Sequence, residues 1–79
     1  MGARVRLPEG LDRLLRSELE RAIYEAALHE SDTLIATRYI VEKAAQIDIA
    51  AELGWTRSTV SAHIPHILRR VEQAAVRMK

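Results

Sequence analysis

The chain contains no cysteine and no phenylalanine, and its aromatic residues are one tryptophan and two tyrosines. Without thiols, disulfides and thiolate metal sites are excluded. Glycine and proline are scarce, at three and two residues, which disfavours the many tight turns of a small sheet protein and favours a helical bundle. No apolar run approaches the length that crosses a bilayer, and the N-terminus lacks the apolar centre of a signal peptide. A cytoplasmic protein without membrane contact is the expectation. What is abundant is aliphatic: 48% of the 79 residues are apolar, mostly Ala, Leu, Ile and Val. That length supports one domain, residues 1–79, with a thin core.

The formal net charge is only +1, so the distribution of charge matters more than its sum. From Arg57 onward, five basic residues (Arg57, Arg69, Arg70, Arg77, Lys79) face one acid, Glu72. Between Glu9 and Asp32 the acids dominate. A basic C-terminal third suits a polyanion-facing end, although charge also segregates by chance in short chains.

The spacing predicts four or five helices and no strand. Residues 1–7 read as a basic tail carrying Arg4 and Arg6. Pro8 suits a first helical position, and Leu11, Leu15, Leu19, Ala22, Ile23 and Ala26 then recur at helical steps, predicting one amphipathic helix to about His29. Ser31-Asp32-Thr33 supplies N-cap chemistry for a second helix marked by Leu34, Ile35, Ile40 and Val41 and ending near Lys43. These two supporting helices span residues 8–43. Ala45 to Leu53 reads as a short third helix, stopped by Gly54, and Thr56 can cap a fourth. Glu42 and Lys43 read as an ordinary exposed pair.

Residues 45–64 hold a helix-turn-helix pattern, its core running from Gln46 to Ile64. Each special position has a physical job. Ala50 is small enough for the next helix to cross closely, and Gly54 makes the turn. Ile49, Leu53, Trp55, Val60 and Ile64 form the apolar wedge, and Thr56 satisfies otherwise orphaned amides. The fold class that follows is all-α, a four- to five-helix bundle containing a helix-turn-helix.

Pro65 falls about two turns into the fourth helix, where proline costs ~3 kcal/mol. Because Val60, Ile64, Ile67 and Val71 keep one helical phase, a kinked but nearly continuous helix is expected. Its extension, residues 65–79, carries the apolar stripe on through Ala74 to Met78. The first helix and this extension should pack together, within one subunit or across a homodimer, and a homodimer is the expectation because a small core gains from more burial.

Arg38-Tyr39-Ile40, Gln46-Ile47-Asp48-Ile49-Ala50, Leu53-Gly54 and Thr56-Arg57-Ser58-Thr59-Val60 resemble region four of bacterial sigma factors. Thr59-Val60-Ser61-Ala62-His63, followed by Ile67-Leu68-Arg69-Arg70-Val71, resembles the DNA-binding domain of LuxR-type regulators. Together the resemblances cover about Ser31 to Val71. They depart from this chain in two places: the link from Tyr39 to Gln46 is about one residue longer than usual, and Pro65 interrupts the last helix. The resemblance implies a transcriptional regulator that binds double-stranded DNA, with contact to RNA polymerase as a further implied partner. A second sigma domain is lacking, so a stand-alone regulator or an excised domain fits better than an autonomous sigma factor.

At about 100° per residue, Arg57, Ser58, Ser61, Ala62 and Pro65 share one face of the last helix, away from Val60 and Ile64. Arg57, Ser58, Ser61 and Ala62 are the candidates for base readout. A guanidinium can donate twice to guanine O6 and N7, and the Ala62 methyl can meet a thymine methyl; Arg57 could equally clamp a phosphate. Gln46, Thr56, His66, Arg69 and Arg70 are the candidates for contact with the DNA backbone. Thr59 reads as a local backbone bonder, Trp55 as a ring sealing the wedge, and His63 as a residue flanking the core. His63 and His66 make a poor metal site by themselves, and the hydroxyls of Ser58, Thr59 and Ser61 lack an accompanying base. Neither an enzyme nor a cofactor is expected. The alternative is a protein-interaction module of the same fold, binding an RNA polymerase subunit or an anti-sigma factor. It is supported by Asp48 and Glu52, which would repel phosphate if they faced it.

Overall fold

A computed structural model describes residues 7–78. The expected basic tail lies outside these residues except for Leu7, which packs partly buried against the core. Among the described residues the secondary structure is wholly helical, as expected. Five helices follow one another: α1 (Glu9–Asp12), α2 (Arg16–Glu25), α3 (Glu30–Ala36), α4 (Gln46–Leu53) and α5 (Arg57–Arg77).

The single first helix expected from Pro8 to His29 is two helices. Pro8 precedes α1 as its cap, its carbonyl accepting from the amides of Leu11 and Asp12 at 2.9 and 3.0 Å. The chain then turns at Arg13–Leu15 because Glu18 reaches back: its Oε1 accepts the Leu15 amide at 2.8 Å and so starts α2. Leu15 swings out to 68% exposure, while Leu11, Leu19, Ala22 and Ile23 remain buried. The break lets α1 lie against the distal part of α5. A Cβ added at Gly10 would sit 3.5 Å from Glu72 Oε2.

The second helix also differs from its expected bounds. It begins at Glu30 behind His29 rather than behind Ser31-Asp32-Thr33. Thr33 Oγ1 donates to the Leu28 carbonyl at 3.3 Å, and Asp32 is turned inward. Its last turn, Thr37–Val41, is π-helical, with the Glu42 amide donating to the Thr37 carbonyl at 3.1 Å. A π turn holds one residue more than the α-helical ladder allows, and it sits beside the link that is a residue long by resemblance. Lys43 then takes a positive φ of 58°, and its Nζ donates to the Ile40 carbonyl at 2.9 Å. Glu42 meanwhile pairs with Arg38 at 3.0 Å. Glu42 and Lys43 are both exposed, as expected, while each bonds a group other than its neighbour and helps close a helix end.

From α4 onward the expected elements stand, with Ala45 as the cap of α4 rather than its first residue. Gly54 has φ 72°, and the Trp55 and Gly54 amides reach back to the Ala50 and Ala51 carbonyls at 2.9 and 3.3 Å. Those bonds satisfy carbonyls that the end of a helix would leave orphaned. The helix α5 runs unbroken through Pro65. Its inner stripe of Val60, Ile64, Ile67, Val71, Ala74 and Ala75 is buried, and it is the axis on which the other elements pack. Leu11, Leu19, Ala22, Ile23 and Ala26, and later in the chain Ile35, Ala36, Ile40, Ile49 and Ala50, form one buried cluster with that stripe. Six of the buried side chains are alanines, small enough to let helices approach closely, and the molecule measures 35 × 29 × 18 Å.

Candidate nucleic-acid interface

The face of interest is built on the pair α4 and α5 and the short turn between them. Thr56 begins α5 in extended geometry, and its Oγ1 accepts the Thr59 amide at 3.2 Å. The two threonine hydroxyls lie 2.8 Å apart, so the Thr59 side chain bonds locally, but to the Thr56 hydroxyl rather than to the backbone. With the first turn fixed in this way, Arg57, Ser58, Ser61, Ala62 and Pro65 are all exposed along the helix, opposite buried Val60 and Ile64. The four base-reading candidates therefore share one solvent-facing strip. Their small side chains leave Arg57 as its only long one.

The backbone candidates separate. His66 and Arg69 are exposed farther along α5. Arg70 has another engagement: its guanidinium donates to the Ala26 carbonyl at 2.9 Å. There it satisfies an orphan carbonyl and places a cation at the negative end of α2. Thr56 spends its hydroxyl on the cap. Gln46, at the start of α4, is partly buried, and its Oε1 is enclosed without a hydrogen-bond partner among the protein atoms.

Two acids on α4 have different surroundings. Asp48 is exposed. Glu52 is clamped by Arg38 in a two-pronged pair, Nε to Oε1 and a terminal nitrogen to Oε2, both 3.0 Å. The same guanidinium holds Glu42, tying the π-helical segment to α4. The hydrogen bond from Arg38 holds the Glu52 carboxyl below its ordinary range, against the opposing effect of burial. The Arg38 guanidinium is raised in turn, first by that hydrogen bond to Glu52 and then by the charges of Glu42 and Glu52.

Sequence reasoning missed one contact at this site. His63 Nδ1 lies 2.8 Å from Asp32 Oδ1, joining α5 to the first turn of α3. Asp32 is 8% exposed and is the buried charged residue of the core. Trp55 covers the imidazole, ring centres 5.0 Å apart and planes tilted by 52°. Thus Trp55 and His63 seal the wedge together. The residues are separated by thirty-one positions, and the only hint was a lone aspartate that could be explained as a cap. Among the described residues no cluster of three metal-ligating side chains forms.

No protein family, curated protein or solved structure matches this chain.

Proposed function

We propose that the chain is a sequence-specific DNA-binding regulator of transcription, with α4 and α5 as a helix-turn-helix and the first two turns of α5 as the reading element. The observation that carries the reading is the strip of Arg57, Ser58, Ser61, Ala62 and Pro65, exposed on a helix whose opposite side is fixed in the core. A major groove admits one α-helix, and small side chains let that helix come close to the base edges. Arg57 reads a base through its fork; Ser58 and Ser61 supply short donors and acceptors, and Ala62 a methyl. Arg69, His66 and the amide of Gln46 contact phosphates, with Thr56 presenting the helix start. Arg38 supports the reading because it pairs with Glu52 and leaves Asp48 as the α4 acid without that clamp.

The protein-interaction reading rests on a different observation: Ile47 is 61% exposed beside Asp48 at the start of α4. An apolar residue next to an acid suits a basic, partly apolar protein surface such as a polymerase subunit or an anti-sigma factor. Titration with random-sequence duplex DNA at low and at moderate salt separates the two readings. DNA contact predicts measurable binding that weakens steeply with salt, since each neutralised phosphate releases counterions. Absence of binding even at low salt would sink the DNA reading and leave the α4 surface as the functional one.

A further inference from the structure

The proposed groove contacts make no use of Pro65, although it stands on the exposed strip. Its effect on the backbone follows from its chemistry. In an α-helix the carbonyl of one residue points along the axis at the amide four residues on, and Pro65 has no amide hydrogen to offer the Ser61 carbonyl. Among the described residues no side chain takes over. The hydrogen bonds that side chains make on α5 join Thr56 to Thr59, His63 to Asp32 and Arg70 to Ala26. The helix nevertheless continues to Arg77. Ser61 is left with a carbonyl that lacks its ladder donor and opens between the Ser61 and Pro65 positions, both exposed. A proline ring crowds the carbonyl four residues before it, and carbonyls on the wet side of a helix tilt outward.

The neighbours of this carbonyl decide what it can meet. Ser58, Ser61 and Ala62 are short, so they let a duplex edge approach the backbone at this point. The strip offers the donors of Arg57 and two hydroxyls that donate or accept, but no carboxylate and no side-chain amide. In the major groove the donors are the amino groups of cytosine, at N4, and of adenine, at N6; guanine and thymine present oxygens instead. We infer that the Ser61 carbonyl, freed by Pro65, is a base-reading group: with α5 in the major groove it accepts from the amino group of a cytosine or an adenine. At the same position it rejects guanine and thymine, whose oxygens would face it lone pair to lone pair. Pro65 is then the residue that sets this preference. The inference rests on the DNA-binding reading and deepens it, since the Arg57 fork selects acceptor edges and the carbonyl selects donor ones. It also gives a use to a residue that is costly inside a helix.

The test uses the whole chain and a duplex selected by it from a random-sequence pool. That duplex is remade with single amino groups removed, cytosine replaced by 2-pyrimidinone or adenine by unsubstituted purine. At one position the wild type should lose about three- to tenfold in affinity, the worth of one hydrogen bond. Pro65→Ala and Pro65→Val both restore the amide hydrogen, and valine keeps apolar bulk; each should lose less than about twofold there. Comparing the proteins on the same duplexes cancels the cost of the altered base pair itself. Should the valine variant fail to fold, the Ser61 carbonyl-carbon resonance gives the answer, shifting on addition of duplex in the wild type and staying in place in Pro65→Ala. Equal discrimination in all three proteins, or no position at which the wild type responds, overturns the inference and leaves the DNA reading intact. Discrimination lost in Pro65→Ala but kept in Pro65→Val also overturns it, and assigns the preference to an apolar contact of the ring. A wild type that binds no duplex even at low salt overturns both.

Discussion

The hydroxyl of Thr56 decides how α5 begins, and its removal is a local experiment. Thr56→Ala leaves the Thr59 amide without the acceptor it has at 3.2 Å and should cost about 1 kcal/mol of stability, whereas Thr56→Ser should retain most of it; chemical denaturation measures both. The Arg38–Glu52 clamp makes a different prediction. A carboxyl held low in the folded state stabilises that state above its ordinary pKa of 4.5 and loses the contribution as pH falls through the lower folded value. Glu52→Gln should therefore melt below the wild type at neutral pH, with the gap closing on acidification below the ordinary carboxylate range. A gap that stayed constant would show that the clamp is not what the glutamate contributes. Raised Arg38 stays charged throughout that window, so it adds no titration of its own. For Arg57, base readout predicts that Arg57→Ala costs about 1–3 kcal/mol at one base position, while a phosphate clamp predicts uniform weakening across sequences. Binding to a panel of single-base variants distinguishes them.

At the scale of elements, Pro65 is the residue out of place. It has no amide hydrogen, so the Ser61 carbonyl lacks its usual donor four residues on, yet α5 continues. The stripe from Val60 to Ala75 holds the phase through burial, which outweighs a local defect of ~3 kcal/mol. Pro65→Ala should restore the bond and raise the thermal midpoint, by up to the equivalent of that cost. A lowered midpoint would mean that the proline is fitted into its surroundings rather than tolerated. Such a dominant period is why α5 and its buried face were legible in the sequence, together with Gly54 and Thr56, whose local chemistry leaves little choice. The break between α1 and α2 was not, because apolar Leu15 continues the pattern while a side chain from Glu18 ends it. A π turn has no residue signature, and here its trace was only a link one residue too long. The Asp32–His63 contact was equally hidden: aspartate three residues into a helix reads as capping chemistry until the partner helix is placed. Exposure of the strip from Arg57 to Pro65 followed from phase alone; what Arg70 does instead depended on where α2 ends.

Considered whole, the chain meets within one subunit much of the burial that a dimer was expected to supply, because α2 packs along α5 and α1 closes its distal part. What is left over is smaller. Val76 is 67% exposed at a groove lined by Gly10, Glu72, Gln73 and Ala75, on the part of α5 beyond the reading strip. Pairing of two copies at this groove is the prediction for the homodimer expected from the sequence. A charge at the centre of such a surface should separate the subunits without disturbing a side chain that is already exposed. Sedimentation should thus show a dimer for the wild type and a monomer for Val76→Glu with unchanged helicity. On DNA, the variant should keep its affinity for a single half-site and lose the gain in affinity that two correctly spaced half-sites give the wild type. A wild type that sediments as a monomer throughout the micromolar range, with no gain from a second half-site, would assign recognition to one α5 helix alone.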